Sequence, residues 1–351
     1  MSVPESRLSA GTEATLADFP VDAAWTTDGR LLVGGGEGEL AIVDAATAQV
    51  HVIGRHDPGV LNVLVLAGDV GAISAGQDGS VRRWAPGDGS DGKGTIVHRG
   101  MGWPQSLCLS HDGRQFAFAQ GRTVRIHDAD GAPVRVFEDI GRGASLVAWR
   151  GRMREVAAAG QTQAWLCEID GGRVTQVELE GGPVTLTYSP EGRILIAGLQ
   201  DGVVSFRYVA TNKKSRMSGY DGKVTHTAWS ANSRYLATAA SGASTVVIWD
   251  FSGKGPEGTT PLQLGTHTDR IEALAFQPNG KLLATAGRDN RLALWQPGPH
   301  YRSKPDTPLP KAMDVHLLAS TPVLLRWSPD GKRLAVLESS GRVGFYEVAA
   351  G

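Results

Sequence analysis

The stretch IEALAFQPNGKLLATAGRD (271–289) decides the fold. Two short apolar runs, IEALAF and KLLATAG, flank the turn QPNG, and a second glycine turn follows before a third run. The same phrase returns as VTLTYSPEGRILIAGLQDG from Val184, as QSLCLSHDGRQFAFAQG from Gln105 and as VLLRWSPDGKRLAVLESSG from Val323. Units begin near residues 21, 60, 105, 145, 184, 224, 271 and 323, so 351 residues divided by eight gives about 44 per unit. Self-similarity at a fixed period is read before any other signal, because it overrides guesses from length alone.

A period of about 40–45 residues with three or four short strands is that of a propeller blade. Asp28-Gly29, Asp112-Gly113, Asn279-Gly280 and Asp330-Gly331 are expected to supply the positive φ of tight hairpin turns. Runs such as RILIAG and RLAVLE are too apolar to leave one face in water, so they are expected between neighbouring blades. Outer fourth strands are expected at 49–54, 132–138, 173–180 and 260–267. The last unit ends without one, and residues 12–17 near the N-terminus are expected to complete the final blade. The fold class is therefore all-β: one closed propeller domain over 1–351, of eight four-stranded blades with seven as the alternative, closed by an N-terminal outer strand.

Composition excludes other classes. The 46 glycines lack a Gly-X-Y period, which removes collagen. Hydrophobic content of 41% and a net charge of −1 exclude global disorder. Balanced charge, 35 Lys+Arg against 36 Asp+Glu, argues against a dedicated nucleic-acid binder. Cys108 and Cys167 make neither a disulfide framework nor a zinc site. No signal pattern and no apolar run of about 18 residues occurs, so a soluble cytoplasmic protein is expected, without membrane partner, metal or cofactor.

Trp249-Asp250 at the end of a third strand and the recurring SPDG-type turn give a chain that resembles the WD40-repeat family along nearly its whole length. Two copies of that family's buried polar network are recognisable: His56, Ser74, Asp78 and Trp84, and His267, Thr285, Asp289 and Trp295. His to Ser/Thr is 18 residues in both, and Asp to Trp is six. Other units depart. The fifth keeps Asp201 but has Leu179 where His is expected; the sixth keeps Thr238 and Trp249 but has SGAS in place of the Asp turn. Units one, three, four and eight are degenerate. A catalytic triad reading of His, Ser and Asp is set aside, because two equal copies suit a repeated framework element and no GxSxG elbow occurs.

The resemblance implies a non-catalytic scaffold that binds a protein or peptide. Its top face would carry Arg55, His98, Arg99, Met101, Trp103, Arg122, Tyr220, Arg270 and Arg288, with Gln77, Gln120, Gln161 and Gln200 recurring in second turns. Trp103 stands out, since HRGMGWPQ is a glycine-rich connection and not a core strand; hot spots favour Trp, Tyr and Arg. On the opposite face, Arg150, Arg152 and Arg154 are expected to meet Lys213, Lys214 and Arg216 as a basic patch able to engage an acidic protein or nucleic acid. Two insertions, 250–261 and the proline-rich 296–314, would decorate that face. Asp22 and Glu272 begin inner strands, where they could hold a cation for a channel-based enzyme or small-molecule binder or simply solvate the channel mouth. GDGSDGKG (87–94) reads as a flexible connection.

Overall fold

The computed structural model describes residues 7–85, 93–253, 255–298 and 309–349. They form eight four-stranded antiparallel sheets, so the eight-blade reading holds and seven is excluded. Blade 1 runs Pro20–Trp25, Arg30–Gly35, Glu39–Asp44 and Val50–Arg55 from the axis outward. Blade 2 is Val60–Val65, Ala72–Gly76, Ser80–Trp84 and Thr95–Arg99; blade 3 is Pro104–Leu109, Gln115–Gln120, Thr123–Asp128 and Pro133–Phe137. Blade 4 follows as Leu146–Trp149, Glu155–Gly160, Gln163–Glu168 and Val174–Glu178. Blade 5 comprises Pro183–Tyr188, Ile194–Leu199, Val204–Tyr208 and Lys213–Met217. Blades 6 and 7 start at Val224–Trp229 and Ile271–Phe276 and end at the short outer strands Leu262–Leu264 and Asp314–Leu317.

The eighth blade closes the ring. Its inner strands Pro322–Trp327, Arg333–Glu338 and Arg342–Val348 are completed by Leu8–Thr15, which pairs antiparallel with the last of them. The closing strand starts four residues earlier than the sequence suggested and carries a bulge between Ala10 and Glu13. Leu8 pairs with Val348 and Thr15 with Arg342, so the two chain ends cover each other's edges.

Second strands are wholly buried: Ile194–Leu199, Ala72–Gly76 and Leu283–Gly287 have no exposed position. Both faces of such a strand lie against neighbouring blades, which is why these runs are continuously apolar instead of alternating. The core is accordingly a set of seams. Leu32 and Leu40 of blade 1 pack on Val60 and Val63 of blade 2, and Ile73 and Val81 of blade 2 on Phe116 and Phe118 of blade 3. The series ends with Leu337 and Phe345 of blade 8 against Trp25 and Val33 of blade 1.

First hairpin turns are closed by a short side-chain bond. Ser110 Oγ donates to Asp112 at 2.6 Å and Ser328 Oγ to Asp330 at 2.6 Å, with Gly113 and Gly331 at φ +66° and +71°. Gly280 is the exception among the four expected turns and does not adopt positive φ. Gln277 stands where the others have Ser or Thr, and it has no hydroxyl to close the turn. Gln277 Nε2 and Asn279 Nδ2 instead donate across to Gly331 O and Pro329 O of blade 8, both at 2.7 Å.

Candidate functional site

The top face is built on side chains that tie each outer strand to the next blade. In blade 2, His56 Nε2 lies 2.7 Å from Ser74 Oγ, which also accepts from Trp84 Nε1 at 2.7 Å. His56 Nδ1 meets Asp78 Oδ1 at 3.0 Å, and Asp78 further accepts from Ser80 and Arg82. Blade 7 repeats this: His267 Nε2 to Thr285 Oγ1 at 2.9 Å, His267 Nδ1 to Asp289 at 3.0 Å, and Trp295 Nε1 to Thr285 at 2.9 Å. Burial tends to raise the Asp78 carboxyl, but hydrogen bonds from Ser80 and His56 outweigh it and hold Asp78 well below the usual carboxylate range. Burial pushes His56 below its ordinary value, so its ring is neutral. These hydroxyls are spent on Trp and His.

A third staple hides in blade 6. Tyr220 Oη lies 2.6 Å from Thr238 Oγ1 and accepts from Trp249 Nε1 at 2.7 Å. It does the work of the histidine in the other two. The sequence had set Tyr220 among the partner-facing residues; its hydroxyl instead points inward, and burial raises its pKa. The signal was present, since Tyr220 to Thr238 is the same 18-residue step.

Above this framework stands the loop 100–103. Gln120, 6% exposed, donates from Nε2 to Gly102 O at 2.7 Å and to Gly79 O at 3.2 Å, clamping two neighbouring turns. A Cβ on Gly100 would lie 2.6 Å from Gln120 Oε1, so a larger residue there would displace the clamping carboxamide. Trp103 is thereby presented 53% exposed and Met101 98% exposed. The other eight tryptophans are buried or half-buried. Phe19, 50% exposed on the loop leading into blade 1, rests against Gly36; the sequence reading missed it.

The profile of the "WD domain, G-beta repeat" family matches residues 211–250 and 258–296. Those two stretches are WD40 repeats, and the eight sheets make the ring around them a propeller. It is 22% identical over 251 residues to WD repeat and FYVE domain-containing protein 1 of Mus musculus, covering 68% of this chain and 60% of that protein. It is 27% identical over 128 residues to a guanine nucleotide-binding protein subunit beta of Arabidopsis thaliana, covering 35% of this chain and 34% of that one. The chain thus spans 60% or less of the length of these two relatives. The crystal structure of the computationally designed Ika8 protein superimposes with a TM-score of 0.73 at 17% identity, over 95% of this chain and 98% of that one, a likeness of fold. WD40 propellers typically act in protein–protein interaction and are mostly non-enzymatic.

The remaining loop residues of the top face fall into separate sectors. Arg55 donates to Glu37 O, and Arg122 pairs with Asp139 at 3.2 Å, both on the side of Trp103. Arg99 lies 3.7 Å from Asp78. Arg270 pairs with Glu272, and Arg288 is exposed, both in blade 7, half-way round the ring from Trp103.

The six basic residues of the opposite face do not form one surface. Arg150 turns to Glu155 and to Gly192 O of blade 5, while Arg152 donates to His111 and Arg154 to Asp170 and Gln115. Lys213 pairs with Glu257 at 2.8 Å, within the 250–261 insertion. Arg216, three residues along the outer strand and about 10 Å away, reaches Glu180 in the connection at the top. Lys214 and Arg152 are exposed beside these pairs. Four of the six are answered by acids, because an outer strand runs from one face to the other and carries Arg216 with it. Arg152 and Met153 do edge a groove of about 570 Å³ with His111, Arg114, Trp149 and Arg154.

Around the channel, the carboxylates of the inner strands are Asp22 and Glu272. Asp22 is bonded to Arg326 at 2.6 Å and to Val63 N, and Glu272 to Arg270. Both turn to arginines and not toward each other, so they do not make the cation pair considered from sequence. No group of three His, Cys, Asp or Glu able to hold a metal occurs among the described residues. No described helix is long and apolar enough to cross a membrane. Residues 87–92 of GDGSDGKG, Lys254, and 299–308 with Pro299, Pro305 and Pro308 lie outside the described residues.

Proposed function

We propose that the chain is a scaffold that binds a protein or peptide partner through the sector of its top face formed by Phe19, Met101 and Trp103, with Arg55 and Arg122 at the rim. The observation that carries this reading is the presentation of Trp103. A half-exposed aromatic side chain follows directly on a backbone carbonyl, Gly102 O, that the buried Gln120 clamps. A residue ordered before binding loses little entropy on docking, which is what an interface hot spot requires. The rim arginines would then orient the partner without burying unpaired charge.

The test is the double variant Trp103→Ala with Arg122→Ala, compared with the parent chain by affinity capture and thermal melting. Loss of a central Trp should weaken partner binding about 30-fold, the effect of ~2 kcal/mol at a hot spot. The melting temperature should stay unchanged, because both side chains are exposed. If every captured protein survives the substitutions, the site is elsewhere.

A further inference from the structure

The seam between blades 2 and 3 gathers basic groups, of which Arg125 has no carboxylate partner among the described residues. Arg125 and His127 lie two residues apart on the third strand of blade 3. Their cross-strand neighbours are Phe118 and Phe116, which pack toward blade 2. His98 on the outer strand of blade 2 lies 5.5 Å from Phe118, and His127 lies 5.5 Å from both phenylalanines. Arg83 crosses the same seam from blade 2 and donates to Ala129 O. Gln120 is the hydrogen-bond partner of His98. Asp128 is the carboxylate whose charge reaches His127, and it is itself held by Gln115 Nε2 at 2.7 Å.

Two polar atoms buried in this seam have no protein partner: Arg125 Nε and His127 Nε2. His127 is 4% exposed. Its Nδ1 lies 2.9 Å from Gly131 O, a carbonyl that can only accept. The neutral ring therefore carries its proton on Nδ1 and turns a bare Nε2 into the seam. Among the described residues no carboxylate pairs with Arg125. Buried polar atoms without partners are rare and need a reason, and here the unmet Nε of a half-buried guanidinium shares a strand face with the unmet ring nitrogen of a buried histidine.

We propose that this seam binds a phosphate-like oxyanion, gripped by the Arg125 guanidinium and flanked by His98 and His127. Alternate residues on a strand are about 7 Å apart, a span that a tetrahedral anion can bridge with separate oxygens. Arg supplies fixed donors of the right geometry. His127 Nε2 can contribute only after taking up a proton, so binding draws a proton into the seam. Burial, with the Arg125 charge adding to it, holds both histidines below their ordinary values in the free protein, which makes that uptake measurable. The anion is either free phosphate or the phosphate of a phosphorylated serine or threonine, since both present the same oxygens.

Titration calorimetry of the full chain with inorganic phosphate, sulfate and a short phosphoserine peptide tests the proposal in buffers free of other oxyanions. Sulfate keeps its charge near neutrality, so its affinity should rise as pH falls from about 8 to about 6, by up to tenfold per unit for one proton taken up. Arg125→Gln should lower affinity at least tenfold, and Arg125→Lys should retain part of it. His127→Phe, which keeps the aromatic stack, should bind with a flattened pH dependence. A peptide that binds more tightly than inorganic phosphate identifies a phosphorylated side chain as the source, and equal or weaker binding identifies the free ion. Absence of saturable binding by all three probes overturns the proposal. So does undiminished binding by an Arg125→Gln protein with the parent's circular dichroism and melting curve.

Discussion

Tyr220→Phe separates a framework residue from a partner-facing one. The substitution keeps the ring and its packing beside Leu236 and Trp249 and removes only the hydroxyl. Two short hydrogen bonds go with it, at 2.6 Å to Thr238 and 2.7 Å from Trp249. Thr238 retains Val247 O at 3.2 Å, but among the described residues Trp249 Nε1 has no other acceptor. Trp249 is 9% exposed, so water replaces the lost acceptor poorly. An unsatisfied buried donor costs about 1–3 kcal/mol, and ~2 kcal/mol is the expected destabilisation. With unfolding entropy near 2.1 cal/mol/K per residue, a chain of this length should melt on the order of 3 °C lower.

The assay is a denaturation cycle of the parent, Tyr220→Phe, Trp249→Phe and the double variant. Removing the indole donor also removes the penalty for its orphaning, so the double variant should be less damaged than the sum of the singles, by about 1 kcal/mol. Partner capture by Tyr220→Phe should equal that of the parent. The reasoning fails if the variant melts like the parent while capture is lost, for then the hydroxyl serves a partner.

Stability should also depend on pH well above the carboxylate range. Burial lowers His56, His98, His127 and His226 below the ordinary value of 6.5, so the unfolded chain binds more protons than the folded one just below that pH. Stability is therefore fully present above about pH 6.5 and declines as pH falls toward the folded values; equal melting temperatures at about pH 7.5 and 5.5 would refute this. Asp78 and Asp289, both held below the ordinary 3.8, add stability that is lost only as pH drops beneath that value, seen as a second, steeper decline on acid titration. Deletion of residues 1–15 removes the strand that covers Val343 and Phe345, and should yield an aggregating or strongly destabilised ring. A peptide spanning 7–17 should restore melting in a concentration-dependent way, and a monomeric deletion variant that melts like the parent would count against closure by this strand.

The sequence made the repeat legible because each blade restates the same turn chemistry, and two tetrads at one spacing located the staples. It concealed Tyr220 because a phenol in place of an imidazole changes the residue type and takes the indole bond onto itself, while keeping the contact to the threonine hydroxyl. It misplaced Arg216 because a basic run reads as one cluster in a string, whereas a strand rising about 3.3 Å per residue delivers its ends to opposite faces. Asp22 and Glu272 were identified as inner-strand carboxylates, but their arginine partners, Arg326 and Arg270, depend on tertiary packing and on a two-residue step that periodicity does not report. Arg125 and His127 share the third strand of blade 3 while His98 comes from the outer strand of blade 2, and no shared motif links them, so only the seam brings the three together.

The units that match the family profile, 211–250 and 258–296, each contain a hydrogen-bonded staple, yet most of the other blades close without that network. Blade 3 shows how. Its register puts Phe118 opposite Leu107, where blade 2 has Ser74 opposite Val63. It likewise puts His127 opposite Phe116, where blade 2 has Trp84 opposite Ala72. An aromatic stack thus occupies the site of the polar network. A hydrogen bond contributes about 1 kcal/mol net, and burying a large apolar side chain contributes as much or more, so the exchange is energetically open wherever both polar partners leave together. Blade 2 keeps the whole tetrad but begins its first hairpin with a 3-10 turn, Ala67–Asp69, in place of the Asp-closed turn. Staple and turn are therefore independently replaceable, and what every blade must preserve is the volume at the seam. Where that volume is filled by His127 and Arg125 instead of by apolar atoms alone, the departure is not one that packing requires, and that marks the seam of blades 2 and 3 as the place to look for a ligand.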